Sequence, residues 1–366
     1  MKQLLQLLLV LGVAALLCGA PTILLPQAGI PVAFPRVQLP AEPIWLEPLF
    51  TIGNYEFPFV NTIPSVILAD ILLLAMAAAA GTAAGRRLKQ YRANPKAVDE
   101  EGDDLMVPKG WLNAFEAIIE YLYNLVEQVA GHKWAGKVFP LVATIFLFVL
   151  TINWLHFLPG VDSVGIIHCA EPGMKGFEVA ELGSTGIYRL AFSDEVGPLG
   201  ADVTYSEEAC EEAHHGRTPE EPILYTIAPF MRTASTDLNV TFALAIISMV
   251  SVQIFGVREL GFAYFAKFFN LPALKKGPMG YIDLGASVLE IISEIAKVVS
   301  LSLRLFGNLF AGTILLFVMM YLIPVGAPII FFLLEVFIGL MQAFIFGMLT
   351  LVFTALAFVG HGDEHH

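Results

Sequence analysis

Long apolar runs separated by charged or proline-rich segments dominate this chain. Residues 63–84 read TIPSVILADILLLAMAAAAGTA, and further apolar runs cover about 138–158 and 238–257. Each run is close to the roughly 20 residues that a helix needs to cross a hydrocarbon core of about 30 Å. The pattern therefore predicts three ordinary transmembrane helices in the first two thirds of the chain.

The last third contains two apolar runs that are too long for upright spans. Residues 283–322 lack proline, and 40 residues of helix would reach about 60 Å, twice the thickness of the hydrocarbon core. Prolines and glycine at 324–328 break the chain, and residues 329–360 form a second helix of about 48 Å. We predict a tilted two-helix hairpin over 283–360, whose broad side face suits contact with a curved partner.

A further helix is predicted at the membrane surface. Residues 111–130 place apolar side chains at three- and four-residue steps. Four polar side chains take the opposite face: Glu116, Glu120, Asn124 and Glu127. This periodicity is typical of an amphipathic helix that lies in the membrane interface.

Basic clusters after two of the spans set the topology. Arg86, Arg87, Lys89, Arg92 and Lys96 follow the first span, and Arg258, Lys267, Lys275 and Lys276 follow the third. By the positive-inside rule both clusters are cytoplasmic. The amphipathic helix and the tail at 361–366 are then cytoplasmic as well, and the loop at 160–222 faces outward.

The complete prediction is an all-α polytopic membrane protein with five core transmembrane helices, including the hairpin. Residues 4–20 form an apolar run after Lys2. We predict that residues 1–20 are either a cleaved signal peptide or an uncleaved N-terminal anchor. The other predicted regions are a proline-rich extracytoplasmic segment at 21–62, the first spans with the amphipathic helix at 63–159, an acidic extracytoplasmic insertion at 160–222, a third span with a cytoplasmic loop at 223–282, the hairpin at 283–360 and the tail at 361–366.

Composition and charge support a membrane protein. The chain is 57% hydrophobic and 14% charged, with a mean hydropathy of +0.72, which excludes an ordinary water-soluble domain. Residues 160–222 hold 13 acidic and 3 basic residues, so this segment supplies −13 + 3 = −10 of the net charge of −13. No basic face of the kind that nucleic acid requires is present, and no nucleic-acid partner is expected.

Two of the three cysteines lie in the acidic loop. If this loop is on the oxidising side, Cys169 and Cys210 can form a disulfide. The alternatives are two free thiols, or a metal site that also uses His168, His214 and His215.

Arg304 is the most unusual residue of the hairpin. An arginine in mid-membrane costs about 2.5 to 3.5 kcal/mol on insertion scales, and its guanidinium cannot lose its charge. No acidic residue lies within one helical turn of it. We therefore expect the partner of Arg304 to belong to another helix or another chain.

Other polar groups follow the same stripe of the first long helix. At 100° per residue, Lys297 and Glu290 lie within about 40° of Arg304, and Asn308 lies one turn beyond it. Glu290 and Glu294 fall near the cytoplasmic end of this helix. Two hypotheses stay open for Glu294 and Lys297: a part in an ion pathway, or a simple ion pair with each other.

Two half-pathways for ions are suggested by the position of the remaining acids. Glu335 lies near the outer end of the second long helix, on the opposite side of Arg304 from Glu290. Carboxylates near opposite faces of the membrane are consistent with two ion pathways, each of which is open to water on one side of the membrane only. For Asp70, within the first span, we favour an ordinary interhelical hydrogen bond over a part in ion conduction.

The hairpin sequence resembles subunit a of F-type ATP synthases. The resemblance rests on SLSLRLFGNLFAG at 300–312 and LMQAFIFGMLT at 340–350, and extends to LPAEPIW at 39–45, TINWLHFLP at 151–159 and STDLNVT at 235–241. It implies that the hairpin packs against a rotating ring of c subunits. It further implies that the arginine matching Arg304 attracts each ring carboxylate and thereby causes the carboxylate to release its proton. The same arginine is implied to prevent protons from passing directly between two half-channels.

The same resemblance implies roles for further residues. Asn308 and Gln342 match polar residues near the arginine, Glu290 matches a carboxylate on the cytoplasmic exit path, and Glu335 occupies the outer-channel position. The usual ionisable companion of that outer residue is Thr313 here, so the outer relay is expected to rest on Glu335 alone, with Asp237 and water helping.

The implied partners are the c-ring, the peripheral stalk subunit b, other ATP synthase subunits and lipid. The implied location is the bacterial plasma membrane, with a cytoplasmic C-terminus and H⁺ rather than Na⁺ as the default ion. The chain has no nucleotide-binding P-loop, so it couples ATP synthesis without performing it, and no cofactor or metal is expected.

Two other classes of function compete with this interpretation. A secondary transporter should contain paired repeats with interrupted helices, and the arginine hairpin has no repeat in the chain. A purely structural scaffold leaves Arg304, Glu290 and Glu335 without a purpose.

Overall fold

The computed structural model describes most of the apolar part of the chain. The described residues are 41, 43–44, 49–53, 55–93, 110–158, 161, 164–169, 178–181, 188–191, 225–268, 278–323 and 326–358. The predicted leader at 1–20, Cys210 and the tail at 361–366 lie outside them.

Six α-helices form the bulk of the described residues. They are α1 (Thr62–Ala93), α2 (Trp111–Ala130), α3 (His132–Leu155), α4 (Leu238–Leu260), α5 (Pro278–Leu322) and α6 (Ala327–Phe358). Five of them, all but α2, are long and apolar enough to cross a membrane. The prediction of a polytopic all-α membrane protein is confirmed.

The helix boundaries differ from the predicted ones for local reasons. The first helix continues to Ala93, about two turns beyond the apolar run, because Arg, Lys, Leu and Gln are good helix formers. The long α5 begins with Pro278. Proline has no backbone N–H group, and at the start of a helix this costs no hydrogen bond because the first backbone N–H groups have no partner within the helix. Likewise Pro328, expected to help break the chain, lies in the first turn of α6.

Two compact units make up the chain. The described residues of the first unit lie within Met1–Ser65, His156–Thr233 and Phe310–Phe337, and those of the second lie within Val66–Leu155, Ala234–Leu309 and Ile338–His366. Each unit is described by itself.

The core of the second unit joins segments of five helices. Its largest buried cluster consists of Leu122, Ile145, Phe146, Val149, Ala245, Leu301, Leu305, Leu309, Ala343 and Phe346. The amphipathic helix α2 has the predicted bounds, buries Leu122 and Val126, and exposes Glu116 and Glu120.

Buried polar side chains link the spans of the second unit. The Ser248 and Thr350 hydroxyls are 2.8 Å apart, and the Ser302 hydroxyl donates to Thr241 Oγ1 at 3.2 Å. In an apolar environment an unpaired polar group is costly, so hydroxyls on neighbouring spans pair with each other.

Short antiparallel strand pairs, which the sequence did not predict, occur in the first unit. Strand β1 (Phe50–Ile52) pairs with β2 (Tyr55–Phe57), β3 (Gly165–Cys169) pairs with β6 (Tyr225–Pro229), and β4 (Glu178–Glu181) pairs with β5 (Tyr188–Ala191). The β3–β6 pair ties the two ends of the acidic insertion together. At Gly165 a Cβ atom would meet the Ala228 carbonyl oxygen, so only glycine fits this close approach.

Gly256 in α4 provides a test of packing. A Cβ atom at this position would lie 2.4 Å from the ring of Tyr264, which is buried and whose hydroxyl donates to Gln253. Because the ring cannot rotate away, we expect Gly256→Ala to lower stability by about 1 to 3 kcal/mol. Thermal unfolding of the purified chain in detergent measures the effect.

The matched control is Gly136→Ala in α3. A Cβ atom there meets nothing within 4 Å, so alanine should be neutral or slightly stabilising in the helix. Equal unfolding temperatures for the two variants would contradict the packing of Tyr264 on Gly256.

Candidate functional site

Arg304 lies on an open face of α5. Its neighbours Leu301 and Leu305 are buried in the core, which fixes the rotation of the helix, while Ser300, Leu303 and Asn308 are exposed. The guanidinium is half-buried and forms no hydrogen bond or ion pair among the described residues. At Gly307, one turn away, a Cβ atom would meet nothing within 4 Å. This face of the helix is therefore free to approach another molecule.

Asn308 and Gln342, which by the resemblance match polar residues near the arginine, are hydrogen-bonded to each other. The Asn308 amide Nδ2 donates to Gln342 Oε1 at 2.8 Å. Gln342 is 2% exposed on α6, whereas Asn308 is exposed one turn after Arg304. The hydrogen bond fixes the orientation of Asn308 on the open face, beside the arginine.

A network of polar side chains surrounds Glu294. Lys297 Nζ donates to Glu294 Oε1 at 2.8 Å, and Gln253 Nε2 on α4 donates to Glu294 Oε2 at 3.1 Å. Gln253 in turn accepts from the Tyr264 hydroxyl, and the Lys297 ammonium lies 5.4 Å from the centroid of the Phe353 ring. Of the two hypotheses for Glu294 and Lys297, the structure contains the ion pair. Glu290, one turn earlier, is half-buried.

Glu335 has an ionisable neighbour that the sequence analysis did not assign. Its side chain is buried, and Oε1 accepts from the Thr313 hydroxyl at 3.2 Å. His156 Nε2 lies 3.8 Å from the same oxygen, and His156 Nδ1 is 2.8 Å from the Thr233 hydroxyl. The expectation that the outer relay rests on Glu335, with Asp237 and water helping, stays a prediction; the structure adds His156, which is within ion-pair distance of Glu335.

Asp237 has a local structural role. It is the N-cap of α4, where its carboxylate accepts from the Asn239 backbone amide at 2.9 Å. An acidic N-cap satisfies an otherwise unpaired amide of the first turn and interacts favourably with the helix dipole. A part in proton transfer stays a prediction for this residue.

Two sequence expectations about other polar residues have different outcomes. Asp70 in α1 is exposed and makes no hydrogen bond among the described residues, so the interhelical bond expected within this chain is not found there. Cys169 ends β3, and Cys210 lies outside the described residues, so a disulfide between them stays a prediction.

The sequence analysis did not assign four polar residues that contact the candidate site residues or their partners: His156, Thr233, Gln253 and Tyr264. Most of these contacts join residues distant in sequence: 77 residues separate His156 from Thr233, and 41 separate Gln253 from Glu294. One signal was available, since His156 is a titratable residue near the end of the second apolar run.

The chemistry available here is proton binding and electrostatic attraction. Carboxylates and an imidazole take up and release protons, and the guanidinium keeps a fixed positive charge. Among the described residues no group of three or more His, Cys, Asp or Glu side chains has the geometry of a metal site.

Comparison with known proteins gives a consistent result. The model of a family described as "ATP synthase A chain" matches residues 67–355. An ATP synthase subunit a of Moorella thermoacetica is 28% identical over 255 residues, which is 70% of this chain and 80% of that protein. The subunit a of Mycobacterium bovis is 30% identical over 263 residues, 71% of this chain and 78% of that protein. The subunit a of Helicobacter pylori (strain Shi470) is 28% identical over 262 residues, covering 71% and 81%.

The Glu294–Lys297 pair can be tested by a double-mutant cycle. Glu294→Gln or Lys297→Met alone leaves a charged partner in an apolar setting, whereas the double variant removes both charges. We expect each single variant to lower stability and the double variant to recover much of the loss, with a coupling energy of about 1 to 3 kcal/mol. Thermal unfolding in detergent provides the four values of the cycle.

The exposed pair of Lys133 and Glu259 is the matched control. Their side chains are 72% and 24% exposed at an N–O distance of 2.8 Å, so water should reduce the coupling to about 0 to 1 kcal/mol. Additive effects at Glu294 and Lys297 would mean that the pair contributes nothing to the fold.

Proposed function

The chain belongs to the ATP synthase A chain family, and from this premise we propose that it is the ion-translocating stator of a rotary ATP synthase. It is a multi-pass membrane subunit that couples ion flow to ATP synthesis and is not catalytic by itself. In this proposal Arg304 faces a ring of c subunits, and two half-channels offset across the membrane deliver and remove protons.

The observation that carries the proposal is the isolation of Arg304 on an open helix face. A guanidinium at membrane depth costs about 2.5 to 3.5 kcal/mol unless an anion or water offsets its charge. Among the described residues nothing pairs with it, while Lys297 on the same stripe is already paired. A carboxylate supplied by another chain would compensate the positive charge of Arg304. If that chain moves past Arg304, each of its carboxylates would do so only while it is close to the arginine.

Arg304 acts by electrostatic attraction in this proposal. At about 4 Å and an effective dielectric constant of 20, a guanidinium and a carboxylate attract each other by about 4 kcal/mol. This attraction favours the ionised form of a rotor carboxylate, so the carboxylic acid loses its proton when it arrives next to Arg304. The guanidinium does not release a proton, so it cannot pass one directly between the two half-channels. The Asn308–Gln342 hydrogen bond holds polar groups beside this position.

The carboxylates divide between the two half-channels. We assign Glu335 to the outer one, where Thr313 already donates to it. At the cytoplasmic end we assign the proton acceptor to Glu290, which matches the exit-path carboxylate of the family and is half-buried on the stripe of α5 that carries Arg304. In this assignment Glu294 lines the pathway and orients Lys297, and Asp237 remains chiefly a helix cap.

The proposed partners follow from the surfaces that this chain leaves open. The hairpin of α5 and α6 would contact the c-ring, and the peripheral stalk subunit b and other subunits would contact the remaining helices. In α1 only 11% of the most apolar window is buried, and the exposed Asp70 needs a hydrogen-bond donor from another molecule.

The proposed location is the bacterial plasma membrane, with the C-terminus in the cytoplasm. The basic residues in the last turns of α1 and in the last turn of α4 support this orientation. Each proton that crosses a membrane potential of 100 mV releases about 2.3 kcal/mol. Rotation must therefore combine the free energy of several protons before one ATP is made.

Arg304→Ala tests the proposed function. Loss of about 4 kcal/mol of attraction corresponds to a slowing of about a thousandfold, so we expect gradient-driven ATP synthesis in membrane vesicles to fall to background. The c-ring should still co-purify with the variant complex, because the side chain is not part of the buried core.

The matched control is Arg86→Ala, an exposed arginine at the end of the apolar run of α1, which should leave ATP synthesis near the parent level. Undiminished synthesis in the Arg304→Ala complex would reject the stator model.

A further inference from the structure

We propose that His156 is a second proton-carrying residue at Glu335, and that it passes protons to this carboxylate. The inference rests on the proposed function and extends it to a residue with no assigned role. Thr313 and His156 both approach Glu335 Oε1, at 3.2 and 3.8 Å. Of these two neighbours, only the imidazole gains and loses a proton near neutral pH.

Distance and burial favour a shared proton. The His156 and Glu335 side chains are 11% and 4% exposed, so bulk water does not screen their interaction. At 3.8 Å the atoms are in ion-pair range, and a side-chain rotation shortens the gap to a hydrogen bond. In the transfer the Nε2–H bond of the imidazolium breaks and an O–H bond forms on Glu335, so that two opposite charges become two neutral groups.

Thr233 orients the imidazole in both protonation states. Its buried hydroxyl lies 2.8 Å from His156 Nδ1. The hydroxyl oxygen accepts from the Nδ1–H of the imidazolium, and from the same Nδ1–H of the neutral ring that remains after Nε2 has given up its proton. In each state Nε2, the nitrogen that exchanges the proton, stays directed at Glu335. Thr233 is thus a positioning residue for this transfer.

The rival explanation is a static ion pair that only holds the residues after α3 against α6. The two explanations differ in what compensates for loss of His156. A static pair needs a positive charge opposite Glu335, whereas a proton carrier can be replaced by another ionisable group that reaches Glu335. Position 313 is such a place, because its side chain already contacts Glu335 Oε1.

The experiment measures proton flux and ATP synthesis of the whole complex in membrane vesicles. For His156→Gln we expect flux to fall by about a hundredfold, the usual scale for a lost acid–base group, with the complex still assembled. Adding Thr313→Glu to this variant should restore flux to within about tenfold of the parent, because it supplies a second ionisable group. His132→Gln, at an exposed histidine paired with Glu127, is the control and should change nothing.

A second pair of variants tests the orientation of the ring. Thr233→Ser keeps the hydroxyl and should keep the flux, whereas Thr233→Val removes it and should lower the flux about tenfold without loss of assembled complex. Equal flux in these two variants would overturn the role of Thr233.

Two outcomes would overturn the role of His156. One is parent-level flux in His156→Gln; the other is a loss that Thr313→Glu does not rescue. Arg304→Ala, measured in parallel, separates the two proposals. If Arg304→Ala is inactive and His156→Gln is not, only this inference fails, whereas an active Arg304→Ala complex rejects the proposed function itself.

Discussion

The structure depends on keeping a permanent positive charge at membrane depth without a partner among the residues that the structure describes. The cost of burying a guanidinium in hydrocarbon is large, so the surrounding helix must be held firmly enough to expose Arg304 on one face only. Leu301, Leu305 and Leu309 provide this anchorage, since all three are buried in the core on the other side of α5. The apolar packing thus fixes the direction in which the charge can act.

The same constraint explains several hydrogen bonds between buried polar residues of the spans. Ser248 bonds to Thr350, Ser302 to Thr241, and Asn153 donates to the Gly339 carbonyl while accepting from Ser235. Each pair satisfies groups that lipid cannot satisfy and joins segments distant in sequence. At Gly339 a Cβ atom would lie 3.3 Å from Asn153 Cβ, so the glycine allows the close approach that this hydrogen bond needs.

Features that depend on residues close together in the sequence could be predicted from it, whereas contacts between residues far apart in the sequence could not. Hydrophobic runs are local, so the five spans, the bounds of α2 and the exceptional position of Arg304 could all be predicted. Contacts between distant residues could not: nothing near His156 in the sequence indicates Glu335, and nothing near Gln253 indicates Glu294. The N-cap role of Asp237 was readable in principle, since an aspartate directly before an apolar run is a common helix start. The short strands were missed because segments of three to five residues carry little periodicity.

In the proposed mechanism, the ion pair at Glu294 also leaves Arg304 as the centre of positive charge on its stripe of α5. Lys297 lies seven residues before Arg304 on the same stripe, about 10 Å along the helix. Unpaired, it would attract a passing carboxylate by about 1.7 kcal/mol at that distance and an effective dielectric constant of 20, competing with the arginine. Glu294 neutralises the ammonium, and Gln253 and Tyr264 hold Glu294 in place. The uncompensated charge of this stripe is then concentrated at Arg304, so the attraction felt by an approaching anion has one centre rather than two.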